Sequence, residues 1–217
     1  MYNISKNGAI QGAYKVPNNI SGFQLIYQNP ELPTGCEITA LTMVLRYYGY
    51  SVSKMTMASV YLPKADYSTY TGTDGRKYGP DLDNCFVGNP FGSGTICGSG
   101  ALVPAANNYL KVQGSSLAAK DITGSTFGEL YMRVSQNQPV VLMSTIGMKN
   151  RRPPSDGWYT ASGKYVNWSS NDHGSVLIGW SETSVTIACP IYGIQTYSRT
   201  QFEKVFASRG YQAMVLE

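Results

Sequence analysis

The chain has 217 residues, enough to bury a hydrophobic core, and we predict a single domain over 1–217. Its formal net charge of +4 is spread along the sequence without a dense basic stripe, which argues against a nucleic-acid partner. No run approaches the roughly 20 apolar residues of a membrane span, and the N-terminal residues lack the apolar segment of a signal peptide. Secretion would therefore need a leader outside this sequence.

The four cysteines and the one histidine argue against a structural metal. Cys85 and Cys97 are too far apart for the close pairs of zinc sites, and we predict neither a metal nor another cofactor. The two cysteines flank a Gly/Pro-rich segment, which a disulfide would stabilise by about 3 kcal/mol. The sequence leaves open whether they form that disulfide or remain free thiols.

The first half of the chain has one strong helical signal. Residues 1–30 are predicted to be an extended lead-in with a short strand around Phe23 to Tyr27. Thr34 and Glu37 have capping-box spacing, and apolar residues then recur at helical intervals. We predict a buried helix that begins at Cys36 and stops near Gly49.

The segment from about residue 51 to residue 100 is broken by Gly and Pro, which predicts a long irregular insertion. Helices are predicted over 101–112 and 126–137, and a capping-box spacing from Thr126 to Glu129 opens the second one. Both helices are expected to pack on a sheet.

The second half supplies the predicted sheet. Strands are expected over 140–144, 174–180 and 185–188, with the last two forming a hairpin, and a terminal strand over 213–216. A helix opened by a capping-box spacing from Thr200 to Glu203 ends near Gly210. The fold class is therefore α+β.

Cys36 and His173 are the candidate chemical groups. A cysteine in the first turn of a helix faces the positive end of the helix dipole, which lowers the pKa of its thiol. A packed structural cysteine is the alternative. His173 is the only histidine, and a thiol nucleophile needs a base to activate it and an acid to protonate the leaving group.

Several segments resemble the bacteriocin-processing (double-glycine) peptidase-like family of papain-like cysteine peptidases. The resemblance spans most of the chain, and it is carried by Gln28-Asn29, residues 32–41, Tyr47-Tyr48-Gly49, residues 86–90, residues 138–141, Trp158 and residues 173–179. It implies a papain-like fold, in which the helix that carries the nucleophile packs on an antiparallel sheet that carries the base. It also implies that Gln28, or less strongly Gln24, donates an N–H to the oxyanion of the tetrahedral intermediate.

The sequence departs from the family at the third catalytic position. The family usually has Asp-Pro after the strand that follows the histidine strand, and this chain has Cys189-Pro190. The carboxylate normally accepts the second N–H of the histidine, whereas a thiol is a weak acceptor. The hairpin is expected to bring Cys189 close to His173. Asp172 is a poor replacement because adjacent strand residues point to opposite faces, while a backbone carbonyl or Asn167 remains an alternative.

Two functions follow from these residues, and they belong to different classes. The first is a cysteine peptidase or related amide hydrolase with Cys36 as nucleophile, His173 as base and Gln28 as oxyanion donor, acting on a peptide or protein. The same residues would also serve an amidase or a transpeptidase. The second is a weak or inactive domain that binds peptide or cell-wall polymer, because Cys189 replaces the carboxylate. A purely structural role for all three residues is the third alternative.

The remaining expectations have weaker support in the sequence. We expect a monomer that is secreted or displayed at the cell surface, since members of the family frequently occur as secreted bacterial domains, although a cytoplasmic location stays open. Further domains in a longer protein are compatible with the sequence. The substrate sequence and the biological process are not encoded in any recognisable motif.

Overall fold

The computed structural model describes residues 2–4, 10–13 and 19–217. The helices are α1 (Cys36–Tyr47), α2 (Lys54–Thr56), α3 (Ser99–Val112), α4 (Phe127–Ser135) and α5 (Arg199–Ser208), with a π-helical turn at Met57–Tyr61 and a 3-10 turn at Ile146–Met148. The strands are β1 (Tyr2–Ile4), β2 (Ile10–Ala13), β3 (Lys64–Ala65), β4 (Tyr70–Thr71), β5 (Lys77–Tyr78), β6 (Phe86–Val87), β7 (Ala119–Asp121), β8 (Val140–Thr145), β9 (Trp158–Tyr159), β10 (Tyr165–Val166), β11 (Asp172–Trp180), β12 (Ser184–Cys189), β13 (Gly193–Ser198) and β14 (Ala213–Leu216).

A six-stranded antiparallel sheet is the centre of the fold. Its strand order is β13-β12-β11-β8-β14-β7. Strands β8 and β11 are buried along their whole length. Because both of their faces are covered, the apolar stretches over residues 140–143 and 176–178 are not interrupted by polar residues. The predicted hairpin is confirmed as β11–β12, with Val176 opposite Ala188.

The helices pack in two pairs against this sheet. Helix α1 contacts α3 as well as β11 and β8, so the predicted packing of the Cys36 helix on the sheet is confirmed. Helices α4 and α5 contact each other through Tyr131 and Phe202. The hydrophobic core lies between the helices and the sheet, and its members on α1 and β8 are almost fully buried. The α+β, papain-like prediction agrees with this architecture.

Some of the helices begin and end at the predicted capping residues, and others do not. The predicted capping box at Thr126 and Glu129 is confirmed, with both reciprocal hydrogen bonds formed at the start of α4. The predicted box from Thr200 to Glu203 is wrong, because α5 begins earlier and the Ser198 side chain accepts from the Gln201 N–H instead. At the other end of α1, Gly49 adopts a φ of 92° and ends the helix as predicted.

The predicted strand around Phe23 to Tyr27 is wrong. This segment belongs to no helix or strand and has no ladder partner among the described residues. Between residues 51 and 98 the chain carries only short elements, the longest of which has five residues. Two of them, β4 and β5, join β9 and β10 in a second, four-stranded sheet that the sequence did not predict.

All four cysteines lie in the described part of the chain, and their thiols are free. The open question of a Cys85–Cys97 disulfide is therefore answered in favour of two thiols. The location of the protein, secreted or at the cell surface, stays a prediction. None of the helices within the described ranges has both the length and the apolar character that crossing a bilayer requires.

Candidate active site

Cys36 is the first residue of α1, as predicted, and the helix start is left without a side-chain cap. The predicted capping box is wrong here, because the Thr34 hydroxyl faces the carbonyl oxygens of Asn89 and Gly92 at 3.2 and 3.3 Å. Gly35 occupies the N-cap position, and no side chain in the described part of the chain caps the helix. The first N–H groups of α1 are therefore available to an anion that forms beside Cys36.

His173 lies near the start of β11, where β11 is hydrogen-bonded to β8. Its register partner there is Ser144. The side chain is buried, and its ring is held by the sheet rather than by a loop. This placement gives the imidazole a defined position relative to α1, because α1 packs directly on β11.

One cavity joins the three residues that the sequence singled out. Cys36, His173 and Gln28 all line a cavity of about 220 Å³, together with Trp168 and Ile146. Gln24 is exposed and lies outside this lining. A larger cavity of about 390 Å³ has a different lining that includes neither Cys36 nor His173. The smaller cavity is therefore the candidate active site.

The amide group of Gln28 is already hydrogen-bonded in this structure. Its Nε2 donates to the carbonyl oxygens of Leu32 and Pro33 at 3.1 and 2.9 Å. Its Oε1 is buried and has no partner among the described residues. Both amide hydrogens are thus occupied, and donation to an oxyanion would require Gln28 to release one of these carbonyls.

Cys189 contacts the ring of His173. The distance from His173 Nε2 to Cys189 Sγ is 3.2 Å, and the Tyr192 N–H also donates to the sulfur at 3.4 Å. The sulfur therefore occupies the place where a carboxylate would accept the N–H of the ring. Because Nε2 is engaged, Nδ1 is the ring nitrogen that remains to receive a proton from Cys36.

Asp172, the neighbour of His173, is used elsewhere. Its carboxylate accepts two hydrogen bonds from Arg151, at 2.8 and 2.9 Å, and pairs with Arg209 at 3.0 Å. The Ser169 N–H also donates to it at 2.8 Å. As expected from strand alternation, Asp172 does not replace the third catalytic residue. Asp172 also lines the cavity, but its carboxylate is occupied by the buried charge cluster that it forms with Arg151 and Arg209.

Burial opposes charge on both members of the Cys36–His173 pair. It raises the pKa of the Cys36 thiol well above its usual value, and the negative charge of Glu37 raises it further. It lowers the pKa of His173 to about 4. The lowered thiol pKa expected from the helix dipole is not found, because desolvation outweighs it. The resting pair is a neutral thiol and a neutral imidazole, and within residues 19–217 no hydrogen bond joins them.

Glu37 is a buried acid that the sequence analysis missed as part of the site. It follows Cys36 on α1, is almost fully buried, and has no hydrogen-bond partner for either carboxylate oxygen within the described ranges. Burial raises its pKa to about 7, although the nearby Arg209 opposes this. The sequence did contain a signal for the burial of Glu37. Glu37 precedes Leu41 by four residues, so the two side chains share one face of the helix.

As the pH rises, the free energy of unfolding of the Glu37→Gln protein is expected to increase relative to that of wild type. The pKa of Glu37 is about 7 in the folded chain and 4.5 without the fold. The protonated acid therefore stabilises the fold below about 4.5, and this contribution is lost as the pH rises through 7. The full loss is about 3 kcal/mol, at about 1.4 kcal/mol per pKa unit.

Urea unfolding of both proteins at pH 5 and pH 8 measures this effect. At each pH, the free energy of unfolding of wild type is subtracted from that of the variant. The change in this difference between the two pH values isolates the titration of Glu37, since the other groups titrate in both proteins. The ionisable groups that act on Glu37 are Cys36, Cys97 and Arg209, and the substitution keeps all three. A stability difference that stays constant between the two pH values would show that Glu37 does not titrate in this range.

The site includes no cluster of metal ligands. In the described residues, no group of three or more His, Cys, Asp or Glu side chains is arranged to hold a metal ion. The chemistry available in the cavity is that of a thiol, an imidazole and N–H donors. This combination is suited to acyl transfer.

Comparison with known proteins shows which family and which solved structures this chain resembles. The model of the Peptidase_C39 like family matches residues 20–214. A structure described as a C39-like peptidase from Bacillus anthracis is 32% identical, covers 92% of this chain and 96% of its own, and has a TM-score of 0.79. The uncharacterized protein YvpB of Bacillus subtilis (strain 168) is 28% identical over 193 residues, which are 87% of this chain and 71% of YvpB.

A more distant structure is the peptidase domain of Streptococcus ComA, a bifunctional ABC transporter of a quorum-sensing pathway. It is 13% identical, covers 89% of this chain and 97% of its own, and has a TM-score of 0.48.

Proposed function

The chain belongs to the Peptidase_C39 like family, and from that premise we propose that it is a cysteine peptidase that uses Cys36 as nucleophile and His173 as acid and base. The observation that carries the proposal is the cavity of about 220 Å³, which is lined by Cys36, His173 and Gln28 together. Packing alone does not require a thiol to lie at an uncapped helix start beside the single imidazole of the chain. Nucleophilic catalysis by the thiol does require a base close to it.

The proposed reaction begins from the neutral pair. The Cys36 sulfur attacks the carbonyl carbon of a peptide bond while His173 takes the thiol proton. The tetrahedral oxyanion is held by the backbone N–H of Cys36 and by the Gln28 amide, once that amide turns away from one of its carbonyl acceptors. Each donor is worth a few kcal/mol to the transition state.

The intermediate then collapses. The C–N bond breaks, His173 gives its proton to the leaving amine, and the acyl group remains on Cys36 as a thioester. A water molecule attacks the thioester, His173 takes one of its protons, and the released thiolate regains that proton from the imidazolium. An amine or another thiol in place of water would give a transfer reaction.

Cys189 favours a second function, which is a peptidase-like domain that binds its ligand and turns it over weakly or not at all. A thiol does not carry the full negative charge that stabilises imidazolium in the family. Burial also holds the pKa of His173 near 4, which makes the protonated ring costly to form. In this alternative the cavity serves as a binding cleft for peptide or cell-wall polymer.

Alkylation of Cys36 by iodoacetamide separates the two functions. If His173 is the base, His173→Ala is expected to slow labelling of Cys36 by about tenfold or more, in the lower range of general-base contributions. His173 is neutral throughout pH 6–8 because its pKa is about 4. The effect should therefore persist across that range.

Site-resolved mass spectrometry supplies the measurement and its internal control. Cys85 is half-buried and lies outside the cavity lining, so its labelling should be the same in both proteins. Equal labelling of Cys36 with and without His173 would contradict the peptidase proposal and leave the binding domain as the better account.

A further inference from the structure

Four tyrosines form a row across the second sheet. Tyr70, Tyr78, Tyr159 and Tyr165 lie on β4, β5, β9 and β10, and each is the register partner of the next. Register partners place their side chains on the same face of a sheet. Successive ring centroids are 5.6, 6.2 and 5.2 Å apart. We call these four residues the tyrosine row.

The tyrosine row points away from the protein. The neighbouring residues Trp158 and Val166 are buried in a small core on the other side of the sheet. Because successive strand residues alternate between faces, the tyrosines face solvent. Tyr70 and Tyr165, at the two ends of the row, are 64% and 50% exposed. Three interstrand spacings make the row about 14 Å long.

Contacts within the sheet hold the rings in place. The Tyr78 hydroxyl donates to Asp74 at 2.7 Å, and the Tyr165 hydroxyl accepts from the Gly157 N–H at 2.9 Å. The Arg76 guanidinium lies 4.9 Å from the ring centroid of Tyr159. Side chains that are ordered before binding lose little conformational entropy when a ligand arrives.

The buried face of this sheet packs against a residue that lines the active-site cavity. Trp158 packs against Trp168, with ring centroids 5.4 Å apart, and Trp168 lines the cavity. Tyr67, which is exposed, rests edge-on against both indole rings. The tyrosine row lies on the other face of this sheet, so a molecule bound to the row is separated from the cavity by the sheet.

The geometry of the row discriminates among possible occupants. An extended peptide adds to the edge of a sheet through backbone hydrogen bonds, whereas the row runs across the strands and offers ring surface. A stable protein partner buries about 800 Å² on each side, far more than a row one side chain wide provides. Pyranose rings pack their C–H groups against aromatic rings and direct their hydroxyls to polar groups at the border, which here are the phenol hydroxyls and Arg76.

We propose that the tyrosine row binds a linear oligosaccharide that runs across the strands of the second sheet. The inference does not depend on catalysis by Cys36, because it rests on a different surface.

The test is calorimetric titration with three uncharged tetrasaccharides: the β-1,4 tetramers of N-acetylglucosamine and of glucose, and the α-1,4 tetramer of glucose. At least one should bind the wild-type protein, and the double substitution Tyr70→Ala with Tyr165→Ala should weaken that binding by about tenfold or more. Tyr27→Ala is the matched control, since Tyr27 is 53% exposed and lies outside the row.

Several outcomes would overturn the proposal. One is the failure of all three sugars to bind, and another is equal binding by the double variant. A third is binding at the row by a mixture of unfolded peptides but by no sugar, which would assign the row to a protein partner. The unfolding midpoint of the double variant should stay close to that of wild type, because both side chains are exposed. The rate of Cys36 alkylation should also be unchanged, which separates this test from that of the peptidase.

Discussion

Cys189→Asp is expected to raise the rate of Cys36 alkylation at pH 7 by at least about tenfold. The sulfur of Cys189 lies 3.2 Å from His173 Nε2, so a carboxylate at this position would accept that N–H and stabilise the imidazolium. An opposite charge this close shifts a pKa by about 1–3 units. The pKa of His173 rises from about 4, and proton transfer from Cys36 becomes easier.

The sign of the effect follows from the neutral resting pair. Burial raises the pKa of Cys36, so at pH 7 the thiolate is the minor form. Each unit by which the apparent pKa of the thiol falls increases the thiolate fraction about tenfold. The gain should therefore be largest near neutral pH and should disappear once the pH exceeds the apparent thiol pKa of the wild-type protein.

Two variants calibrate the measurement. Cys189→Asn supplies an uncharged acceptor of similar shape, and its rate should fall between those of wild type and Cys189→Asp. Cys189→Ala removes the contact and should be slowest. A Cys189→Asp protein that reacts no faster than Cys189→Ala would show that residue 189 does not act on His173, and the binding function would gain support.

Gly174→Ala is expected to destabilise the fold by about 1–3 kcal/mol, the usual cost of an extra methyl group in a packed core. A Cβ at this position would lie 2.6 Å from the Cα of Glu37 and 2.9 Å from its backbone nitrogen. These atoms belong to the first turn of α1 and cannot move by rotating a side chain. The helix that carries Cys36 must therefore move away from β11.

Urea unfolding and Cys36 alkylation together check this prediction. The free energy of unfolding should fall, and alkylation should lose its dependence on His173 because the two residues separate. Gly128→Ala is the control, since Gly128 is an exposed residue of α4 whose nearest contact would be at 4.0 Å. That variant should gain up to about 1 kcal/mol from helix propensity. A Gly174→Ala protein as stable as wild type would mean that the helix and the strand are less tightly packed than the structure indicates.

The elements that carry the site could be predicted because their signals are local. The apolar spacing after Cys36 predicts α1, and two apolar runs joined by a short turn predict the β11–β12 hairpin. That hairpin also places Cys189 near His173, since strand pairing across a short turn follows directly from chain order. The segment from Phe23 to Tyr27 shows the limit of such signals, because an extended run becomes a strand only where a partner strand lies beside it.

The sequence by itself determined the helix that begins at Cys36, the single imidazole and the hairpin that ends at Cys189, all of which depend on residues close along the chain. Only the tertiary structure decided how these groups ionise. The helix dipole predicts a lowered thiol pKa at Cys36, yet packing of α1 on β11 removes water from the thiol, and desolvation prevails. The pKa of Glu37, the Asp172 charge cluster and the tyrosine row arise from contacts between distant segments. Local periodicity carries no information about such contacts.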